Sequence, residues 1–324
     1  MAGSSPALVE SLSAGLAEVD ALLLRRVDHS DAFIAEASGH LLEAGGKRFR
    51  PLLTLLSSLL GSGPNESVVA AAAGVELTHL ASLYHDDVMD EASVRRSVST
   101  ANARYGNSTA ILVGDLLFGT ASDIVADLGP EAVKIQAQTF VRLCSGQIRD
   151  DRPCPAGVDP TEYYLGVLAD KTGVLIATAA RYGAMFGGCP PEVVETMREF
   201  GEQLGIAFQL ADDLIDIEST AQELGKTPGT DLREGKRTLP VIYVLASTDP
   251  ADARLQSLLL GDLSSDAALA EALELLRAHP AMAAARAETQ SVAARAQVVL
   301  ERLPDSEAKD ALRALATAVV DRVA

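Results

Sequence analysis

Apolar residues along the chain recur at steps of three and four rather than in strict alternation, the period of helices that bury one face. Met197, Phe200, Leu204, Ala207, Ala211 and Leu214 keep that step throughout and predict a single buried stripe. Ala and Leu, both strong helix formers, fill the segments between Gly- and Pro-rich punctuation at 61–67, 151–160, 187–191, 226–240 and 247–252. Segments 66–91, 101–127 and 190–220 each predict one long helix, and twenty residues of helix span about 30 Å, enough to run the depth of a domain. The pattern therefore predicts an all-α fold. It favours one large helical bundle over residues 1–324 to two small ones, with no solenoid-period repeat and no low-complexity linker.

Composition narrows the class. The 324 residues carry 27 Lys and Arg against 45 Asp and Glu, a formal net charge of −18, which argues against nucleic acid as a partner. With 48% hydrophobic and 22% charged residues, a sizeable core is available. No uninterrupted apolar run reaches the roughly 18 to 20 residues of a membrane span, and MAGSSPALVESLSAG has neither a basic start nor an apolar signal core. The expectation is a cytoplasmic protein without a transmembrane segment. Cys144, Cys154 and Cys189 show no C-x-x-C spacing and read as ordinary thiols.

Two acidic trios stand out of this helical background. Asp86, Asp87 and Asp90 follow LASLYH, and Asp212, Asp213 and Asp216 follow IAFQLA; both read D-D-x-x-D. On a helix turning about 100° per residue, those offsets keep each trio on one face. Uncompensated carboxylates in apolar surroundings repel one another and resist ionising, so each trio requires a cation. Oxygen ligands without a His or Cys cluster suit Mg²⁺, which takes one or two carboxylates and completes its shell with water and substrate phosphate. The spacing of an EF-hand loop is absent.

Basic residues accompany both trios: Lys47 and Arg50 in GGKRFRP, Arg95 and Arg96 after the first trio, Lys226 and Lys236 after the second. The Gly45–Gly46 pair can bring backbone N–H groups close to an anion, and Pro51 is expected to open the next helix at its first position. Neither a P-loop nor a dinucleotide fingerprint is present. His79 precedes Asp86 by seven residues and projects about 20° from it, on the same stripe. Gln209 projects between Asp212 and Asp213, a neutral dipole suited to developing charge, and Thr172 beside Lys171 suits that role or a helix cap.

These motifs resemble the all-trans polyprenyl diphosphate synthase family, the head-to-tail prenyltransferases. The match runs in order through GGKRFRP (45–51), the first trio with its Arg-Arg pair, ANARYGN (101–107), GDLLF (114–118), KTG (171–173), FQLADDLID (208–216), GKTPGTD and GKRTLP (225–240). Two departures are visible. Ser97 follows Arg-Arg where family members usually carry Gly, and Gly119-Thr120-Ala121 follows GDLLF where an Arg is common.

The resemblance implies a single all-α domain of the isoprenoid synthase fold, usually a homodimer, with a deep central cavity. The aspartates of both trios would hold about three Mg²⁺ against the diphosphate of an allylic substrate. Carried over by position, Lys47, Arg50, His79 and Arg96 belong to the isopentenyl diphosphate site. Arg95, Lys171, Thr172, Gln209, Lys226 and Lys236 belong to the allylic side. The reaction implied is ionisation of the allylic C–O bond, attack by the isopentenyl double bond and loss of a proton, with pyrophosphate as the proton acceptor.

In this family the growing chain runs from the first trio towards the N-terminal end of its helix, and bulky residues four and five positions before the first Asp block it. Here those positions hold Ser82 and Ala81, which points to a farnesyl or geranylgeranyl primer and a product of about C30 to C50, of the kind used for quinone side chains. Release of such a product allows transient membrane contact. A short-chain synthase, a class I terpene cyclase and the regulatory subunit of a two-chain synthase are the alternatives. Cyclases normally lack the second trio and GGKRFRP, and regulatory subunits lose the aspartates.

Overall fold

Side-chain caps and prolines set most helix starts. Ser5 Oγ accepts from Leu8 N, and Pro6 takes the first position of α1 (Pro6–Val27). Asp31 caps α2 (Ala32–Glu43) through the N–H groups of Phe33 and Ile34. Helix α3 runs Phe49–Ser58, so Pro51 is its third residue and not its first. Proline is still tolerated there, because the first-turn N–H groups of a helix have no internal acceptor. Arg48 is the left-handed residue before α3, and its guanidinium donates to Asp20 Oδ1 at 2.7 Å and Glu76 Oε1 at 3.2 Å.

The computed structural model describes residues 5–219 and 228–322, and the chain folds as two compact units. One unit comprises the chain up to Val141 with Leu175–Gly201 and Leu300–Ala314. Its central element is α4 (Glu66–Met89), capped by Asn65 and packed against α1, α3 and α6. Its core includes Leu53, Leu56, Leu77, Leu80 and Tyr84. After α4 comes a two-stranded hairpin, β1 (Val94–Arg95) paired antiparallel with β2 (Val98–Ser99). The single helix expected over 101–127 is two, α5 (Ala101–Tyr105) and α6 (Asn107–Ala126), because Gly106 at φ 84° breaks the helical path between them.

The other unit comprises Arg142–Val174, Glu202–Val299 and the chain from Leu315. It holds the end of α7 (Pro130–Asp150), all of α8 (Pro160–Leu168), a π-helical turn at Ala169–Gly173 and the C-terminal part of α10 (Pro191–Glu218), which follows α9 (Val174–Phe186). Further helices cover Thr230–Arg233, Leu239–Ala246, Ala253–Leu259, Asp266–Ala278, Pro280–Leu300 and Glu307–Asp321.

Among the described residues two helices, α4 and α6, are long and apolar enough on average to cross a membrane, which the absence of an uninterrupted apolar run did not anticipate. The most apolar window of α4 is 78% buried within the protein, as a core helix must be, whereas that of α6 is 39% buried. Ile111, Leu112 and Leu116 lie exposed along α6.

Candidate active site

The first trio closes helix α4. Asp86 is half-buried, Asp87 is fully buried, and Asp90 lies just beyond the helix as its C-cap, its N–H donating to Asp86 O at 2.8 Å. That i→i−4 bond keeps Asp90 in helical register with Asp86. Three carboxylates at the negative end of a helix dipole are disfavoured unless cations stand beside them. Arg95 supplies one, its Nε donating to Asp87 Oδ1 at 2.5 Å. Asp87 Oδ2 is buried with no hydrogen-bond partner among the described residues, an oxygen suited to a cation's field. Burial pushes the Asp87 carboxyl above the usual carboxylate range; Arg95 opposes that shift and Asp90 adds to it.

The β-hairpin carries both arginines. Its two-residue turn is Arg96–Ser97, at φ 51° and 65°, the left-handed pair that matches the twist of a tight hairpin. Ser97, one of the two departures from the family pattern, therefore occupies a backbone conformation that glycine adopts freely. Arg96 Nη1 donates to Leu41 O at 2.9 Å and also to Gly45 O. Gly46 permits this approach, since a Cβ there would stand 3.1 Å from the Arg96 guanidinium. Arg96 is thereby drawn onto the GGKRFRP loop, where Lys47 is exposed and Arg50 half-buried. Burial, then the charges of Arg50, Arg96, Arg95 and Arg48, hold His79 well below the usual imidazole range, so it is neutral. The residues assigned from sequence to the isopentenyl side thus share one positive region of this unit.

The second trio lies in the last two turns of α10, again at a helix C-terminus. Asp213 and Asp216 are buried, and Asp212 is more exposed. Asp213 Oδ1 accepts from Gln209 Nε2 at 3.0 Å, and Gln209 Oε1 accepts from Thr172 Oγ1 at 3.0 Å. Asp213 Oδ2 accepts from the Tyr164 hydroxyl. Burial raises the Asp213 carboxyl; the bonds from Tyr164 and Gln209 oppose the shift, the charges of Asp212 and Asp150 reinforce it, and the result is about 7. Asp216 receives the returning chain, Gly229 N donating to its backbone O at 2.9 Å and Asp231 N to its Oδ2 at 3.1 Å. Asp212 Oδ1 lies 2.8 Å from Arg322 Nη2, whose guanidinium also sits over the Phe208 ring.

Lys171 and Thr172 belong to the π-helical turn at Ala169–Gly173, a widened turn of the sort that recurs at functional sites. Lys171 Nζ reaches Asp150 Oδ2 at 2.8 Å, and Lys236 Nζ reaches the same oxygen at 3.2 Å and Asp151 Oδ1 at 2.7 Å. Lys226 lies outside the described residues. Tyr164, Asp150 and Arg322 are contacts that the sequence did not single out. Among the described residues, no group of three or more His, Cys, Asp or Glu side chains forms a ready-made metal cage. Separate carboxylates, with Asp87 Oδ2 buried and unpartnered among the described residues, fit an ion such as Mg²⁺, which leaves most of its shell to water and phosphate.

A family model, Polyprenyl synthetase, matches residues 31–276. The chain belongs to the polyprenyl synthetase family. It is 49% identical over 313 residues to a nonaprenyl diphosphate synthase of Mycobacterium tuberculosis, a match covering 96% of this chain and 93% of that one. A geranylgeranyl pyrophosphate synthase from Corynebacterium glutamicum, solved in complex with calcium and isoprenyl diphosphate, superposes with a TM-score of 0.87 at 45% identity over 98% of both chains. A decaprenyl diphosphate synthase from Rhodobacter capsulatus does so with a TM-score of 0.89 at 35% identity, again over 98% of both. The all-α isoprenoid synthase fold and the prenyltransferase class expected from the motifs both hold.

Proposed function

We propose that this chain condenses isopentenyl diphosphate head-to-tail with farnesyl or geranylgeranyl diphosphate, giving an all-trans polyprenyl diphosphate of about C30 to C50 for a quinone side chain. One observation carries the chain-length reading. Below Asp86, the i−4 positions of α4 are Ser82, Thr78 and Gly74, all small, a ridge about 18 Å long without a bulky side chain. The Ser82 hydroxyl folds back on its own helix, donating to His79 O at 2.8 Å, and Ala81 is buried. Further down, Gly74 and Thr78 border a small void of about 10 Å³ together with Thr139 and Thr178.

In this reading Lys47, Arg50 and Arg96 bind the isopentenyl diphosphate, with neutral His79 as a hydrogen-bonding neighbour. Arg95, Lys171, Lys226 and Lys236 bind the allylic diphosphate and stabilise negative charge as its C–O bond breaks. Gln209, oriented by Thr172, presents an amide dipole beside that developing charge. The double bond of isopentenyl diphosphate then attacks the allylic cation, the new cation loses a proton to the released pyrophosphate, and both substrates are oriented by their diphosphates. Bound Mg²⁺, about three ions by analogy, would neutralise diphosphate charge. Asp86, Asp87 through Oδ2, and Asp90 in one trio and Asp212, Asp213 and Asp216 in the other would hold it. Arg95 orients Asp87, and Tyr164 and Gln209 orient Asp213, within the two clusters.

The interleaved segments of both compact units support reading 1–324 as one synthase domain. Exposed Ile111, Leu112 and Leu116 on α6, with Val133 and Val141 on α7, offer an apolar face suited to a homodimer. Water-soluble diphosphate substrates suit a cytoplasmic enzyme, with transient membrane contact when the long product leaves. A second reading, a short-chain product of about C15 or C20, is favoured by the likeness to the C. glutamicum enzyme.

The test is incubation of the purified chain alone with farnesyl diphosphate, labelled isopentenyl diphosphate and Mg²⁺. A synthase incorporates label unaided. A cyclase or a regulatory subunit does not.

A further inference from the structure

One carboxylate, Asp150, holds both described lysines of the allylic side. Lys171 Nζ stands 2.8 Å and Lys236 Nζ 3.2 Å from the same oxygen, Asp150 Oδ2. The two ammonium groups are therefore at most about 6 Å apart, where like charges in a half-buried place repel strongly unless an anion lies between them. Asp150 is that anion: its side chain is 14% exposed, while those of Lys171 and Lys236 are 30% and 21% exposed.

The local fold is arranged to deliver this contact. Gly146 sits one turn before Asp150 on α7, and a Cβ there would lie 2.5 Å from Lys171 N. Only glycine lets the π-turn backbone come so close, and residues four apart on a helix share a face, so Asp150 meets Lys171 directly below that approach. Asp170, the neighbour of Lys171, is held on its other side by Arg142 Nε at 2.7 Å and Arg149 Nη1 at 2.9 Å. Lys236 arrives from the loop after Thr230–Arg233, its N–H donating to Asp231 O at 2.8 Å and its Nζ also to Asp151 Oδ1 at 2.7 Å.

Charge supports the geometry. Burial alone would raise the Asp150 carboxyl, but the charges and hydrogen bonds of Lys171 and Lys236 win and lower it. Burial would lower Lys236; its bonds to Asp151 and Asp150 and their charges raise it instead. Lys236 is thus kept protonated, and one carboxylate oxygen holds the two amines close together.

We infer that Asp150 is a positioning residue of the allylic diphosphate site, pairing Lys171 and Lys236 into one preformed dication that the incoming diphosphate bridges. The inference rests on the assignment of those lysines to the allylic substrate. It differs from a merely structural ion pair in what it requires. Loss of the Asp150 charge must weaken one substrate selectively and lower the proton affinity of two particular amines.

The test uses the full-length Asp150→Asn enzyme. KM for farnesyl diphosphate should rise about 10- to 100-fold while KM for isopentenyl diphosphate stays within about twofold. Lys171 and Lys236 should acylate faster than in wild type when labelled near neutral pH and read by mass spectrometry, and Asp150→Glu should recover much of both effects. Equal weakening of both substrates, or unchanged amine reactivity with an unchanged farnesyl KM, overturns the inference. If Asp150→Asn does not fold, Asp150→Glu is read alone: a smaller but selective rise in farnesyl KM supports the inference, and none overturns it. Lys171→Ala and Lys236→Ala separate the premises. If they leave farnesyl KM unchanged, the lysine assignment fails; if they raise it and Asp150→Asn does not, only the positioning role fails.

Discussion

Arg95 and Asp87 form an ion pair, Nε to Oδ1 at 2.5 Å, in which the acid is wholly buried and the base 29% exposed. The pair ties the hairpin to the last turn of α4. It leaves Asp87 Oδ2 buried and, among the described residues, without a hydrogen-bond partner, so one carboxylate already serves an arginine with one oxygen and offers the other to a cation.

The first prediction concerns metal. Asp86→Ala and Asp212→Ala each remove a carboxylate that is only half-buried, so both variants should stay folded by circular dichroism. Turnover should fall by about two to three powers of ten, the scale of a lost electrostatic clamp. EDTA should abolish wild-type activity and excess Mg²⁺ restore it; activity persisting in EDTA would remove the metal from the account.

The second concerns division between the substrates. Lys47→Ala and Arg96→Ala should raise mainly the KM for isopentenyl diphosphate, and Lys236→Ala mainly that for the allylic partner. Losing a hydrogen bond to a charged group costs about 1.5 to 3 kcal/mol, or roughly 10- to 150-fold. Separate KM series decide the matter, and equal weakening of both substrates by Lys47→Ala contradicts the division.

The third concerns pH. Asp213 is a buried acid whose folded pKa is raised to about 7, above its unfolded value. Its protonated form therefore contributes stability that is fully present below the unfolded pKa and lost as pH rises through about 7. Asp213→Asn has no such loss. Measured by urea unfolding without metal, the variant should gain on wild type between pH 4.5 and pH 7.5. A difference that stays constant or shrinks over that window contradicts the assignment.

The fourth concerns product length. Ser82→Phe places a ring one turn, about 5.4 Å, below Asp86 and should shorten the product to about C15 or C20 while ionisation survives. An unchanged product distribution, resolved by reversed-phase chromatography after dephosphorylation, contradicts a path along the Ser82, Thr78 and Gly74 face.

Both trios were legible in the sequence because acidic residues at helical spacing inside apolar segments have no bland structural use. The partners that settle them were not. Tyr164 reads as one more apolar position of α8, and its hydroxyl matters only because Asp213 is buried beside it. Asp150 reads as a polar helix end, since nothing in the sequence places Lys171 and Lys236, distant along the chain, on one oxygen. Gly106 broke a run whose apolar period continued through it. Periodicity reports the burial of side chains and is silent on a single left-handed backbone residue.

The wild-type product distribution tests the reaction and its long product at once. Purified enzyme, farnesyl diphosphate, labelled isopentenyl diphosphate and Mg²⁺ should give dephosphorylated alcohols centred at about C30 to C50. Labelled products that stop at about C15 or C20, or no incorporation without a second protein, would contradict it.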